Sequence, residues 1–319
     1  MPLNKRAFLK AGALCLVAPR SYGQGLGKPV RIIIPLSPGT PSDFITRIVA
    51  TAMTEHLKRP IIIDNRPGAN GVLAMQELMR SKPDGDTLML GGISPIALNV
   101  AVVKNLPYDP RRDITPIGGI YNAFQAYVVS SNLPITTFPE FVEYARKNPA
   151  KLSVAHYSAL TKIQFAALSK LAGIDLLMVS YKSTATAYTD VMAGHVDASI
   201  ADMATALNMA KGGKLRLLAI SLPERTALAP DLPPAAETVP GLSVPAWSGL
   251  IGPAGMPKEL VLKFNEALNV ALNQKDTINK LAESATLPWP TTPEALADHI
   301  DKEIDRWAKV AQSAGIEPE

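Results

Sequence analysis

Short apolar, largely β-branched runs recur along the chain at Val30–Leu36, Pro60–Asp64, Thr87–Leu90, Ala126–Ser130, Leu152–Ala155, Leu176–Ser180, Ala198–Ala201 and Leu215–Ser221. Continuous apolar runs without a polar alternation predict strands covered on both faces. Between most of them apolar positions fall at helical spacing, as in Ile45, Ile48 and Met53, or Phe165, Leu168 and Leu171. Strand alternating with helix predicts the α/β class. The carboxy-terminal region reads as helix alone. Val261, Phe264, Leu268 and Leu272 form one stripe. Thr292-Pro293-Glu294 opens a second helix with proline in its first turn, running through Ile300, Ile304 and Trp307 to about Ala314, where Gly315 stops it. Prolines cluster at element edges, and Pro223 to Pro245 is the candidate long connection between domains.

The amino terminus changes this picture. Lys5, Arg6 and Lys10 precede the apolar run Ala11 to Pro19, and Ser21-Tyr22-Gly23 is a small-x-small cleavage site. Residues 1–23 therefore read as an export signal of Sec or twin-arginine type, with the mature chain starting near Gln24. The run is far short of the roughly 20 apolar residues of a membrane span. Leu14 before Cys15 does not suit lipid attachment, so a soluble periplasmic protein is expected. The net charge of +4 resides in the signal, which leaves 28 basic against 28 acidic residues in the mature part. That balance lacks the basic stripe of a nucleic-acid binder. The single cysteine leaves with the signal, removing disulfide, thiolate and cysteine–metal chemistry. With 47% hydrophobic residues the rest has ample core for two domains.

Candidate chemistry gathers where the first strand meets the first helix, at Ser37-Pro38-Gly39-Thr40-Pro41-Ser42-Asp43. A strand running into a helix N-terminus presents backbone N–H groups and the positive end of the helix dipole to an anion. Enzyme signatures are missing: the four histidines are scattered, and neither a Walker A run nor a Gly-x-Ser-x-Gly elbow occurs. Capture of a solute without catalysis or cofactor is the expectation.

Several further segments accompany this turn: Asn65–Gly71, Pro83–Leu88, Leu106–Pro110, Gly194–Asp197, Gly213–Arg216, Trp247–Pro257 and Ala314–Glu319. In this order the chain resembles the substrate-binding proteins of tripartite tricarboxylate transporters, the periplasmic Bug family. The resemblance implies a two-lobed, periplasmic-binding-protein-like (type II-like) α/β fold with a ligand cleft between domains. Residues 24–124 and 246–319 would form domain 1, and 125–245 domain 2. It also implies a small organic acid as ligand, membrane permease subunits as partner, a monomer and no enzymatic activity. A membrane sensor protein is the alternative partner, and a cryptic enzyme on the same fold the remaining one.

Carried over by position, the resemblance assigns ligand contacts to Ser37, Gly39, Thr40, Ser42 and Asp43, with helix capping by Asp43 as the alternative. Ser94 after the third strand is a contact or a helix cap, and Asp202 a receiver of an amino group or a cap. Tyr181 and Thr184 match a second anion loop. Asn65–Gly71 is assigned mostly a structural role, with carboxylate binding by Arg66 as the alternative. The chain departs from the family at Tyr157-Ser158-Ala159-Leu160-Thr161. There Ser158 and Leu160 replace two glycines, and Gln164 stands where histidine is usual. Tyr157, Ser158 and Thr161 remain site candidates, Tyr157 as a stacking wall. Three readings stay open: a bulkier, less polar monocarboxylate such as an aromatic acid, conventional specificity with a compensated loop, or loss of binding.

Overall fold

The computed structural model describes residues 28–244 and 246–313. The export signal, Cys15, the mature start near Gln24 and the stop at Gly315 lie outside the described residues. All the apolar runs form strands: β1 (Val30–Ile34), β2 (Ile61–Asn65), β3 (Thr87–Gly92), β5 (Gln125–Ser130), β6 (Ser153–His156), β7 (Leu177–Ser180), β8 (Ala198–Asp202) and β9 (Leu215–Ile220). Three strands escape the apolar-run reading: β4 (Ile114–Ala123), β10 (Ala246–Pro253) and β11 (Thr286–Pro288). Among the described residues the α-helices are α1 (Pro41–Leu57), α2 (Val72–Met79), α3 (Asn99–Val102), α4 (Pro110–Asp113), α5 (Phe138–Lys147), α6 (Ala159–Ala172), α7 (Thr184–Ala193), α8 (Met203–Ala210), α9 (Ala235–Thr238), α10 (Lys258–Leu272), α11 (Lys275–Glu283) and α12 (Pro293–Ser313).

These elements make two lobes, each built on its own sheet. One sheet has the order β11-β4-β10-β3-β1-β2, the other β7-β6-β8-β5-β9. In the first, β2, β1 and β3 run parallel while β10 opposes β3 and β4. In the second, β7, β6 and β8 run parallel and β5 opposes β8 and β9. The two sheets thus repeat one plan, three parallel strands followed by antiparallel crossing strands. The chain passes between them directly at Phe124, where β4 runs into β5. It returns along the segment from Ser221 to β10 that contains α9.

In the inner strands burial explains the continuous apolar runs, whereas the edge strands β2 and β7 leave Ile62 and Leu177 exposed. Ile32 and Ile34 pack on one side of the first sheet with α1 and α10, while Ile33 and Met89 pack on the other with α2 and α12. In the second sheet Tyr127 and Val129 face one core, Ala126 and Val128 the other. With helices on both faces, neither face of a strand needs polar residues.

β4 and β10 were hidden by their glycines and prolines, which ordinarily mark turns. Here the glycines serve close approach. A Cβ at Gly119 would lie 2.4 Å from the Trp289 carbonyl and 2.5 Å from its ring, and one at Gly118 would lie 2.7 Å from Asn265 Nδ2. Gly119→Ala is expected to cost about 2–3 kcal/mol, because the Trp289 backbone must move. A urea midpoint unchanged from wild type would refute that packing argument.

Candidate functional site

Between the lobes lies a cleft of about 1010 Å³. The first lobe lines it with the β1–α1 turn, with Gly68–Gly71, and with Gly92 to Pro95 after β3. The second lobe contributes Leu160, Asp202 and Met203–Thr205, while Ala123, Phe124 and Ala246 lie on the chain crossings between the lobes. Of the expected site residues, Ser37, Gly39, Thr40, Ser42, Asp43, Ser94 and Asp202 line it.

The β1–α1 turn is built by its sequence. Gly39 holds φ +81°, a value most side chains avoid, with open space around its α-carbon. Thr40 has an ordinary extended backbone and is the N-cap: its Oγ1 accepts from the Asp43 N–H at 3.4 Å and donates to the Ser37 carbonyl at 3.0 Å. Pro41 then occupies the first helical position, where a missing N–H costs nothing. The Phe44 N–H donates to the Thr40 carbonyl. Among the described residues the Ser42 N–H, like those of Ser37 and Thr40, has no protein acceptor, and it lies at the positive end of a 17-residue helix. Its Oγ is held by the Tyr121 hydroxyl at 2.7 Å.

Asp43 lines the cleft, yet its buried carboxylate is engaged within the protein, and Thr40 rather than Asp43 caps the helix. It accepts from the Gly39 N–H at 3.0 Å, Asn65 Nδ2 at 2.9 Å and Arg47 Nε at 3.1 Å. Burial alone pushes this carboxyl up. The bonds from Arg47, Gly39 and Asn65, with the Arg47 charge, outweigh it and bring the pKa down to about 2. Asp43 thus clips turn, helix and β2 together and positions the turn. Asn65 serves the same clip, and Arg66 pairs with Asp64 at 3.0 Å.

In the second lobe the expected contacts divide. Tyr157 is not a stacking wall of this cleft: its hydroxyl lies 2.8 Å from the Tyr188 hydroxyl and donates to the Ile200 carbonyl at 3.0 Å, while its ring packs edge-on against Tyr188. Ser158 and Thr161 form the N-terminal capping box of α6. The Tyr181 hydroxyl donates to Asp190 at 2.7 Å, and Thr184 begins α7. None of these five lines the cleft. Leu160, at the second lost glycine, does line it, so that departure puts apolar surface into the cleft.

Asp202 sits at the end of β8, anchored from behind. Gln125 Nε2 donates to its Oδ1 at 3.2 Å, and Gln164 Nε2 donates to Gln125 Oε1 at 2.9 Å and to the Val244 carbonyl at 3.4 Å. Water reaches Asp202 through the cleft, but the surrounding protein still raises its carboxyl above the ordinary 3.8, only partly offset by Gln125.

Other lining residues were not anticipated. Ser284–Thr286 come from the approach to the unforeseen β11, and Ser248 and Ala246 from the unforeseen β10. Trp247 is buried but also borders the cleft. Asn70 holds φ +51°, for which the Asn-Gly pair is the sequence signal. Among the described residues no cluster of three His, Cys, Asp or Glu side chains is arranged to hold a metal, and no helix is long and apolar enough to cross a membrane.

Comparison with known proteins matches this geometry. The family model described as "Tripartite tricarboxylate transporter family receptor" matches residues 45–316. Protein BugT of Bordetella pertussis is 28% identical over 306 residues, 94% of this chain and 93% of that protein. The structure of Rpa4515 from R. palustris with adipate superposes with a TM-score of 0.79 at 28% identity, covering 91% of this chain and 98% of that one. MatC from Rhodopseudomonas palustris with bound malate gives 0.73 at 30% identity, covering 88% and 98%.

Proposed function

The chain belongs to the tripartite tricarboxylate transporter receptor family, with the two-lobed fold of its Bug relatives, and from that premise we propose that it is a periplasmic receptor that captures a small carboxylate and delivers it to a tripartite-type membrane permease. The observation that carries this reading is the unpartnered Ser42 N–H at the start of α1, facing a cleft between two lobes. Ser37 and Ser94 add hydroxyls, so an anion would be held by dipoles rather than by a free cation. Arg47, the lining residue with a positive charge, is committed to Asp43. Bound adipate and malate in the similar structures support a carboxylate as ligand class.

The ligand in this proposal has one carboxylate and a bulkier, less polar remainder. Leu160, Phe124 and Trp247 supply the apolar wall first assigned to Tyr157. We take the lobes as residues 24–124 with 246–319, and 125–245, with bending at Phe124 and near Val244. Ligand that touches both lobes binds the closed form more tightly and shifts the population toward it, without being transformed. The closed form is what the permease would recognise.

A thermal-shift panel of monocarboxylic, dicarboxylic, tricarboxylic and aromatic acids tests the proposal. An acid at 100 times its dissociation constant is expected to add about 2.7 kcal/mol of stability, with bulky monocarboxylates giving the largest shifts. A panel in which succinate or citrate outranks every bulky acid would overturn the specificity.

A further inference from the structure

Asp202 is the carboxylate that the second lobe places in the cleft, opposite the α1 N-terminus contributed by the first. The groups that face it are Gln125 from β5, Tyr157 after β6, Tyr188 from α7, and Tyr121 from β4 across the cleft. These are neutral amide and phenol groups. No ion pair to Asp202 forms among the described residues, and Arg47 is held by Asp43. The carboxylate is also fixed in place. Gln125 occupies Oδ1, and Gln164, fully buried, locks Gln125 against the Val244 carbonyl.

A charge in this position is tolerable while water fills the cleft. Once the lobes close and water leaves, an uncompensated carboxylate is costly, and a second carboxylate brought beside it is repelled. A positive charge carried by the ligand would supply that compensation. We propose that Asp202 is the specificity determinant of the cleft and selects carboxylates that also carry a protonated nitrogen. This rests on the receptor reading above and narrows it. The ligand's carboxylate meets the donors of the first lobe, its ammonium meets Asp202 Oδ2, and its apolar middle lies along Leu160 and Phe124. Such a ligand bridges the lobes by opposite charges at its two ends, so selectivity and closure have one origin. The raised carboxyl of Asp202 agrees, because burial disfavours its charged form and an incoming cation would offset that cost.

Calorimetric titration of the protein and of Asp202→Asn tests this with three matched series: unbranched ω-amino acids, the corresponding dicarboxylates such as adipate, and simple monocarboxylates such as hexanoate. For the wild type, the best ω-amino acid is expected to bind roughly thirty-fold or more tightly than its matched diacid or monoacid. Asp202→Asn should lose that preference and bind adipate more tightly than the wild type does. That gain cannot arise from misfolding. A wild type that prefers the diacid or the monoacid, or a variant that keeps the amine preference, overturns the inference while leaving the carboxylate receptor standing. Silence toward every acid in both proteins overturns the receptor reading and the inference together.

Discussion

Glu303→Ala is expected to lower the unfolding free energy by about 3–5 kcal/mol, the cost of stripping one partner from a buried charged network. The buried Glu303 Oε2 accepts from Trp247 Nε1 at 3.0 Å, Trp307 Nε1 at 3.2 Å and Arg306 Nη2 at 2.8 Å. Alanine leaves both indole N–H groups without their acceptor and strips the Arg306 guanidinium of its carboxylate partner. Arg306 in turn holds the Ser243 carbonyl at 2.8 Å and lies 5.0 Å from the Trp307 ring. Ser243 belongs to the return connection between the sheets and Trp247 borders the cleft. Through one carboxylate, then, α12 fixes both the connection and the wall it leads to. His299 stands edge-on between Trp247 and Trp289, at 4.9 and 4.7 Å, and burial lowers its imidazole so that it packs as a neutral ring. All three tryptophans of the chain border this cluster. Urea unfolding followed by intrinsic fluorescence therefore checks the prediction directly. A loss below about 1 kcal/mol, the scale of an exposed ion pair, would show that the network does not hold the connection.

Asp43→Ala is the second large effect, and it couples stability to binding. Because the folded carboxyl titrates near 2, against about 3.9 in an unfolded chain, ionised Asp43 stabilises the fold by about 2 kcal/mol at neutral pH. With the folded value depressed, that contribution is complete above pH 4 and disappears as the pH falls toward 2. Alanine removes it, orphans the Gly39 N–H and takes one of the two acceptors of Asn65 Nδ2, for a total of about 2–4 kcal/mol. Freed of its clip, the Ser37–Asp43 turn no longer presents the Ser42 N–H in one place, and ligand affinity should fall at least roughly ten-fold. In urea titrations across pH 2–5 the wild type should lose stability more steeply than Asp43→Ala. Parallel curves would mean that the clip is not formed as described.

The readability of this chain varied with the physics behind each element. Doubly covered strands such as β1 and β8 announce themselves, because burial on both faces demands unbroken apolar runs. The strands β4 and β10 do not, because the side chains packed on them need glycine at Gly118, Gly119 and Gly249, and glycine reads as a turn. The β1–α1 turn was legible since Gly39, Thr40 and Pro41 each answer a local backbone requirement. Long-range partners were not legible. Nothing in the sequence near Asp43 reveals Asn65 as its donor, and nothing near Tyr157 reveals that Tyr188 and the Ile200 carbonyl take its hydroxyl. Leu160 was recognised as a departure from the family pattern, but only the packing of α6 shows that it faces the cleft. Gln164 stood out as a substitution for histidine, whereas its link through Gln125 to Asp202 depends on how β5 and β8 pair.

A small carboxylate is expected to bind in the cleft between the lobes and to leave it unconverted. Titration of the purified protein with ω-amino, bulky and simple carboxylic acids, read by intrinsic fluorescence and followed by recovery of the acid, tests it most directly. A saturable change at one acid per protein, with the acid recovered intact, is the predicted result. No saturable change with any acid, or conversion of the acid into product, would contradict the account.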